Sequence, residues 1–279
     1  MPEGPELARS RDFLRELLLG KELVGFELTG GRYAKEPPPG MADFGENWIR
    51  QGPTFIDGVD VKGKFMYWTL QPLGNVEPWF LWCTYGMSGM WTTQPADKHV
   101  AVTVTAGPPD RAVHFRDPRH FGTLKFVRGR GPLEKKLRTL GPDMLNDPPK
   151  FETFVQRLDE RADRTLAEAL MDQSVVSGVG NYVKAESLYR ARLSPHRVVN
   201  DVSVMEMAQL YDAVFGVMRD SYQSGGATIA TYRQGDGGPG EAQERFVCYG
   251  RKVDPGGNPI VSEETKDGRT TWWCPTVQK

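Results

Sequence analysis

The 279-residue sequence predicts a multidomain α+β protein, with one helix and an antiparallel β-sandwich or barrel first and a largely helical half after it. Two periodicities and one break carry that expectation. Apolar residues alternate with others at Val24-Phe26-Leu28, Phe65-Tyr67, Val100-Val102-Val104, Val113-Phe115 and Leu124-Phe126, as in strands with one buried face. From about residue 150 the apolar spacing changes to three or four, which is helical. Between the two regimes lies the turn-rich stretch 141–149, where the domain boundary is expected.

The elements follow in order. Leu7, Phe13, Leu14, Leu17 and Leu18 lie at helical spacing, and Gly20 is placed to close that helix. Turn-formers at 36–40 and 107–110 separate the strands. Leu133, Leu137 and Leu140 predict a short helix closed by Gly141-Pro142. Further helices are expected over 151–158, 166–171, 181–192 and 204–222, and a mobile Gly-rich loop over 225–240. Two β-prone runs, 246–251 and 270–273, flank the turn-rich 254–259 and predict a terminal hairpin. The domains are thus drawn as 1–140, 150–244 and 245–279.

With 39% hydrophobic residues, seven Trp and thirteen Phe, a sizeable core is available and global disorder is excluded. The net charge of −1 does not by itself call for a polyanionic partner, but the charges are segregated. Residues 111–138 hold nine Lys/Arg against two acids, enough for a basic face on a neutral protein. Three cysteines, Cys83, Cys248 and Cys274, fit neither a disulfide framework nor a Cys-x-x-Cys metal site, so a reducing compartment and no zinc are expected. His114, His120 and Asp117 share no face and are not read as a metal site. No signal peptide or membrane span is expected, which places the protein inside the cell.

The chain begins Met1-Pro2-Glu3-Gly4-Pro5-Glu6. Removal of Met1 would expose Pro2 as a secondary α-amine, which titrates near pH ~8 and is partly neutral and nucleophilic at physiological pH. Attack on a sugar carbon would give an iminium ion, and Glu3 and Glu6 are placed to move the protons that ring opening and elimination require. Pro and acids are also an ordinary helix start. Gly178-Val179-Gly180-Asn181 reads as a tight turn opening a helix whose first amides, with Asn181, suit a phosphate. Arg119 and Phe121 on one loop, with Met87 on another, have the character of a base-stack wedge: an apolar plug beside a hydrogen-bonding cation.

Taken in order, several motifs resemble one family. They are the Pro-Glu-Gly-Pro-Glu start, Gly63-Lys64-Phe65, Gly86-Met87-Ser88-Gly89, Asp117-Pro118-Arg119-His120-Phe121-Gly122 and Leu140-Gly141-Pro142-Asp143. Leu170-Met171-Asp172-Gln173, Gly178-Val179-Gly180-Asn181-Tyr182, Tyr249-Gly250-Arg251 and Arg269-Thr270-Thr271-Trp272 continue the series. The chain resembles, end to end, the DNA glycosylase/AP lyases of the formamidopyrimidine-DNA glycosylase and endonuclease VIII (Fpg/Nei) family. Two departures stand out. The family's C-terminal four-cysteine zinc finger keeps only Cys274, with Pro255-Gly256-Gly257-Asn258 in place of the first pair, which resembles the zincless-finger branch. The usual His-Leu before Gly-Met-Ser-Gly is Thr84-Tyr85.

The resemblance implies an N-terminal β-sandwich with flanking helices, a helix-two-turn-helix domain and a zincless β-hairpin finger, with damaged double-stranded DNA crossing between the domains. It implies a monomer that needs no metal. Pro2 would attack C1′, Glu3 would protonate O4′, Glu6 would relay protons at the sugar, and β,δ-elimination would nick the strand. Lys64, counted with the catalytic residues as well, Asn181 and Arg269 would grip phosphates, and Met87, Arg119 and Phe121 would fill the void left by the everted nucleotide. Glu186, expected to face outward from its helix, would position Pro2 or that helix. Oxidised pyrimidines and hydantoins are the expected lesions, with 8-oxoguanine and formamidopyrimidines as the alternative. A catalytically silent binder of distorted DNA is the reading from another class.

Overall fold

The computed structural model describes residues 2–95, 97–229 and 232–279. Helix α1 (Gly4–Leu18) opens the chain, with Glu3 as its N-cap and Glu6 three residues on, so the Glu3 N–H donates to Glu6 Oε2 at 2.7 Å. Such a cap holds a helix end by about 1 kcal/mol. Gly20, at φ +75, leads from the helix into β1.

Eight strands follow: β1 (Glu22–Leu28), β2 (Thr54–Lys62), β3 (Phe65–Pro72), β4 (Trp79–Thr84), β5 (Met90–Thr92), β6 (Val100–Gly107), β7 (Arg111–Arg116) and β8 (Thr123–Arg128). They run antiparallel in the order β5-β7-β6-β1-β2-β3-β4-β8. The join between β1 and β2 is a single pair, Glu22 with Phe55, and there the sheet folds over into two four-stranded layers. Rings from opposite layers meet in between: Trp68 on β3 lies 4.8 Å from Trp91 on β5, and Phe26 on β1 lies 5.0 Å from Phe126 on β8. Leu7, Leu14 and Leu18 of α1 close one end of this core.

Helix α2 (Met41–Gln51) was not expected. It is held by tertiary contact, with Phe44 stacked on Phe126 at 4.6 Å. Strand β4, Trp-Phe-Leu-Trp-Cys-Thr, shows no alternation because Phe80 on its outer face is also buried, against Phe65 and Leu133 of α3 (Arg130–Arg138).

The second half contains α4 (Phe151–Asp159), α5 (Leu166–Met171), α6 (Asn181–Arg190) and α7 (Val204–Gln223) around its own core from Met144 to Phe246. Two tight turns join α5 to α6, begun by Asp172, whose carbonyl accepts from Val175 and Val176. Among the described residues no helix is long and apolar enough to cross a membrane.

Three expectations are corrected. Residues 246–251 form no strand; the hairpin is β9 (Val261–Glu264) with β10 (Thr270–Trp273). The reason is Glu186, which is buried rather than outward-facing. Its carboxylate accepts the backbone N–H groups of Val247 (3.1 Å), Cys248 (2.9 Å) and Tyr249 (2.6 Å), so they are not free for a ladder. The described part of 225–240 is tied down, with Thr93 N donating to Gly235 O at 3.0 Å and Ala227 N to Glu6 Oε1 at 2.7 Å.

Candidate active site and DNA-facing loops

The start of α1, the β2–β3 turn and the turn before α6 meet where the two cores touch. Gly4 N donates to Gly178 O at 2.9 Å. Gly63 and Gly178 have φ of +58 and +96, and a Cβ on Gly63 would lie 2.5 Å from Gly178 N. Only glycine permits both the left-handed backbone and the approach. The three glycines thereby gather Pro2, Glu3, Lys64 and Asn181.

Pro2 is buried beside Glu3. Glu3 is 1% exposed, and its carboxylate accepts Tyr182 N at 3.0 Å and Val183 N at 3.3 Å. The group at the N-terminus of α6 is therefore the Glu3 carboxyl, where the sequence pointed to a phosphate; the first amides of the helix take its oxygens as their acceptors. Burial lifts the Glu3 carboxyl to about 7, the Lys64 ammonium drawing it down and Glu6 pushing it up. Folded Glu3 keeps its proton to about pH 7 while the unfolded chain releases it near 4.5. Stability therefore falls as pH rises through that window, by roughly 3 kcal/mol in all.

Glu6 is wholly buried and takes hydrogen bonds from Glu3 N, Tyr182 Oη (3.0 Å) and Ala227 N. Burial raises its pKa, against the pull of these donors. Burial likewise pushes the Lys64 ammonium below the ordinary lysine range; Glu3 opposes this, and the charge of Arg269 adds to it. A buried carboxylic acid and a desolvated ammonium thus stand together at the start of α1, next to Pro2 in the chain, as an acid–base pair.

Arg269 is exposed in the β9–β10 turn. The Asn181 side-chain amide donates to Thr270 O at 2.8 Å, fastening α6 to the hairpin next to Arg269. On the other side, Phe121 is 51% exposed with the Arg119 guanidinium 5.1 Å over its ring, and Met87 is half-buried on the β4–β5 loop. The two loops touch backbone to backbone at Gly86 (φ +56), where a Cβ would lie 2.6 Å from the Phe121 carbonyl. Glu186 stands apart from this group and holds 247–249, as above.

Sequence reasoning missed the residues that hold these groups. Buried Asp117 accepts Ser88 Oγ and Gly122 N, both at 2.6 Å, and Ser88 Oγ accepts Arg119 N at 3.1 Å, joining the two wedge loops. Buried Asp143 accepts Gly63 N at 2.8 Å and so sets the turn that carries Lys64. An Asp opening a Pro- or Gly-containing loop was the available signal. Among the described residues, no group of three or more His, Cys, Asp or Glu side chains is placed to hold a metal ion.

The chain matches the formamidopyrimidine-DNA glycosylase N-terminal domain over residues 1–124 and the H2TH domain of the same enzyme over 140–233. It is 36% identical to the formamidopyrimidine-DNA glycosylase of Thermus thermophilus, covering all of this chain and 98% of that one. A relative from Halalkalibacterium halodurans bearing the same name is 31% identical, with full coverage of both. The crystal structure of the MutM (Fpg) protein from Thermus thermophilus superposes with a TM-score of 0.81 at 34% identity, over 99% of this chain and 98% of that one. A Lactococcus lactis Fpg solved with DNA containing an abasic site gives 0.83 at 23% identity, over 99% of each. The chain thus belongs to the formamidopyrimidine-DNA glycosylase family, the DNA glycosylase/AP lyases of base excision repair.

Proposed function

We propose that the chain is a monomeric bifunctional glycosylase/AP lyase acting on oxidised bases in duplex DNA through the Pro2 amine. The observation that carries this reading is Glu3, next to Pro2 in the chain, whose buried carboxyl is held by Tyr182 N and Val183 N, with burial raising its pKa and Lys64 in electrostatic reach. With Met1 removed, the Pro2 lone pair attacks C1′ and the nitrogen then gives up its N–H proton, while the base departs with the electrons of the glycosidic bond and takes up a proton. Glu3 protonates O4′ as the ring opens, leaving an iminium at C1′. That cation acidifies the C2′ proton, whose loss expels the 3′ phosphate; a second elimination expels the 5′ phosphate. Glu6, held by Tyr182 and Ala227, fixes Glu3 by accepting the Glu3 backbone N–H on its carboxylate, and serves the proton relay. Lys64, Asn181 and Arg269 lie along the phosphate path.

Oxidised pyrimidines and hydantoins are the first reading of the lesion class; 8-oxoguanine and formamidopyrimidines are the second, of which the name that the relatives carry favours the formamidopyrimidines. Incision of duplexes containing thymine glycol, 5-hydroxyuracil, hydantoin, formamidopyrimidine or 8-oxoguanine ranks them, and no release of any of these bases would leave the silent binder.

Arg119, Phe121 and Met87 fill the void after eversion. Extrusion costs a few kcal/mol in a paired duplex and little in a bubble. Phe121→Ala therefore slows excision from paired DNA, spares bubbles and leaves the salt dependence of binding unchanged; equal loss on both substrates would make Phe121 a packing residue.

The finger residues do not fit a zinc ion. The thiol of Cys248 donates to Trp272 O at 3.2 Å, and burial drives its pKa up, away from the thiolate that zinc requires. Residues 255–258 offer no thiolate or imidazole. Chelator treatment is expected to leave activity and Tm unchanged, with no stoichiometric zinc on metal analysis. One bound zinc per chain would overturn this.

A further inference from the structure

A two-stranded hairpin is marginal on its own in water, and β9 is largely exposed while β10 is only partly buried. Beneath its turn lies a buried polar cluster that the proposed chemistry does not use. Lys184, on α6, is fully buried; its Nζ lies 2.6 Å from Asp267 Oδ2 and donates to Thr271 Oγ1, also at 2.6 Å. Thr265 Oγ1 donates to Asp267 Oδ1 at 2.5 Å and lies 2.6 Å from Thr271 Oγ1. The backbone closes around the same point, with Gly268 N donating to Thr265 O at 2.8 Å and Thr265 N to Arg269 O at 3.1 Å.

We propose that Lys184 and Asp267 are positioning residues: a metal-independent latch that fixes the 265–269 turn on α6 and so presents Arg269 to the DNA backbone opposite Lys64. A buried ion pair is expensive to desolvate and adds little net stability over an apolar pair, but it accepts one geometry and rejects others. A turn whose arginine must meet a phosphate needs that property. The charge of Arg269 acts on both Lys64 and Lys184, so the turn lies within electrostatic reach of each. The proposal rests on reading Arg269 as a phosphate grip.

The test measures binding to a duplex with a tetrahydrofuran abasic analogue across a salt series, together with thermal melting. The variants are Arg269→Ala, the double replacement Lys184→Met/Asp267→Leu, and all three changes together. Removing both charges leaves neither orphaned, so the double variant is expected to fold and melt near the wild type. Its salt slope should nevertheless fall by about one unit, the amount expected for losing the Arg269 contact. Adding Arg269→Ala should then cost nothing more, because both changes remove one interaction. A wild-type slope in the double variant, or losses that add, overturns the latch while leaving Arg269 as a grip. An unchanged slope in Arg269→Ala overturns the grip itself, and the latch with it. If the double variant does not fold, Thr271→Val removes one partner of Lys184 at nearly constant shape: a reduced slope supports the latch and a wild-type slope overturns it.

Discussion

Borohydride is expected to trap a covalent complex between the wild-type chain and abasic DNA; a blocked N-terminus should abolish it, and Pro2→Gly, which keeps only a primary amine, should weaken it. Reduction converts an iminium into a stable amine, so trapping counts the intermediate directly. DNA binding is expected to survive both changes, because the phosphate grips lie on other segments. The two variants are complementary. Pro2→Gly alters the ring and leaves an amine; blocking removes the lone pair and leaves the ring. Undiminished trapping in both would move the nucleophile elsewhere, and Lys64 is the amine to test next, since burial has already lowered its pKa. Trapping that survived Pro2 blockage and vanished in Lys64→Ala would reassign the covalent step.

Glu3→Gln is expected to reduce base excision by ~10²–10⁴, the usual worth of general acid–base catalysis. Cleavage of a preformed abasic site should lose less, because its sugar is already partly open. Equal losses would give Glu3 another role. The pH profile supplies an independent reading. An acid must carry its proton, so kcat/KM for excision is expected to decline as pH rises through about 7, where Glu3 ionises in the folded protein. In Glu3→Gln that limb should disappear. Because Glu3 also caps α6 through Tyr182 N and Val183 N, melting should be followed in parallel. Gln can still accept through its oxygen, and it removes a carboxyl whose burial costs stability above pH ~4.5. A large drop in Tm at neutral pH would therefore mark a structural effect.

Much of the candidate site was legible because its residues sit in short local motifs. The terminal Pro2-Glu3, the Lys64 turn, the Arg119–Phe121 loop and the Asn181 helix start each read from a few neighbouring residues. What they touch did not. Phosphate was the expected ligand for the α6 N-terminus, and the side chain found there comes from about 180 residues upstream. Glu186 was expected outward, yet it gathers three backbone amides of the finger, a contact that neither segment encodes locally.

The same division holds for the fold. By itself the sequence determined strands β1, β3, β6, β7 and β8, helices α1 and α3 to α7, the absence of the usual four-cysteine pattern and the chemistry available at the N-terminus, since each depends on local periodicity or composition. Tertiary structure alone decided α2, which exists by stacking Phe44 on Phe126, and β4, whose two buried faces erase the alternation that marks a strand. It also decided that Lys184 and Asp267 meet, and that Gly4, Gly63 and Gly178 converge. Burial and close approach are properties of segments far apart in the chain, and they set the Glu3 carboxyl near 7, which turns an ordinary helix cap into an acid.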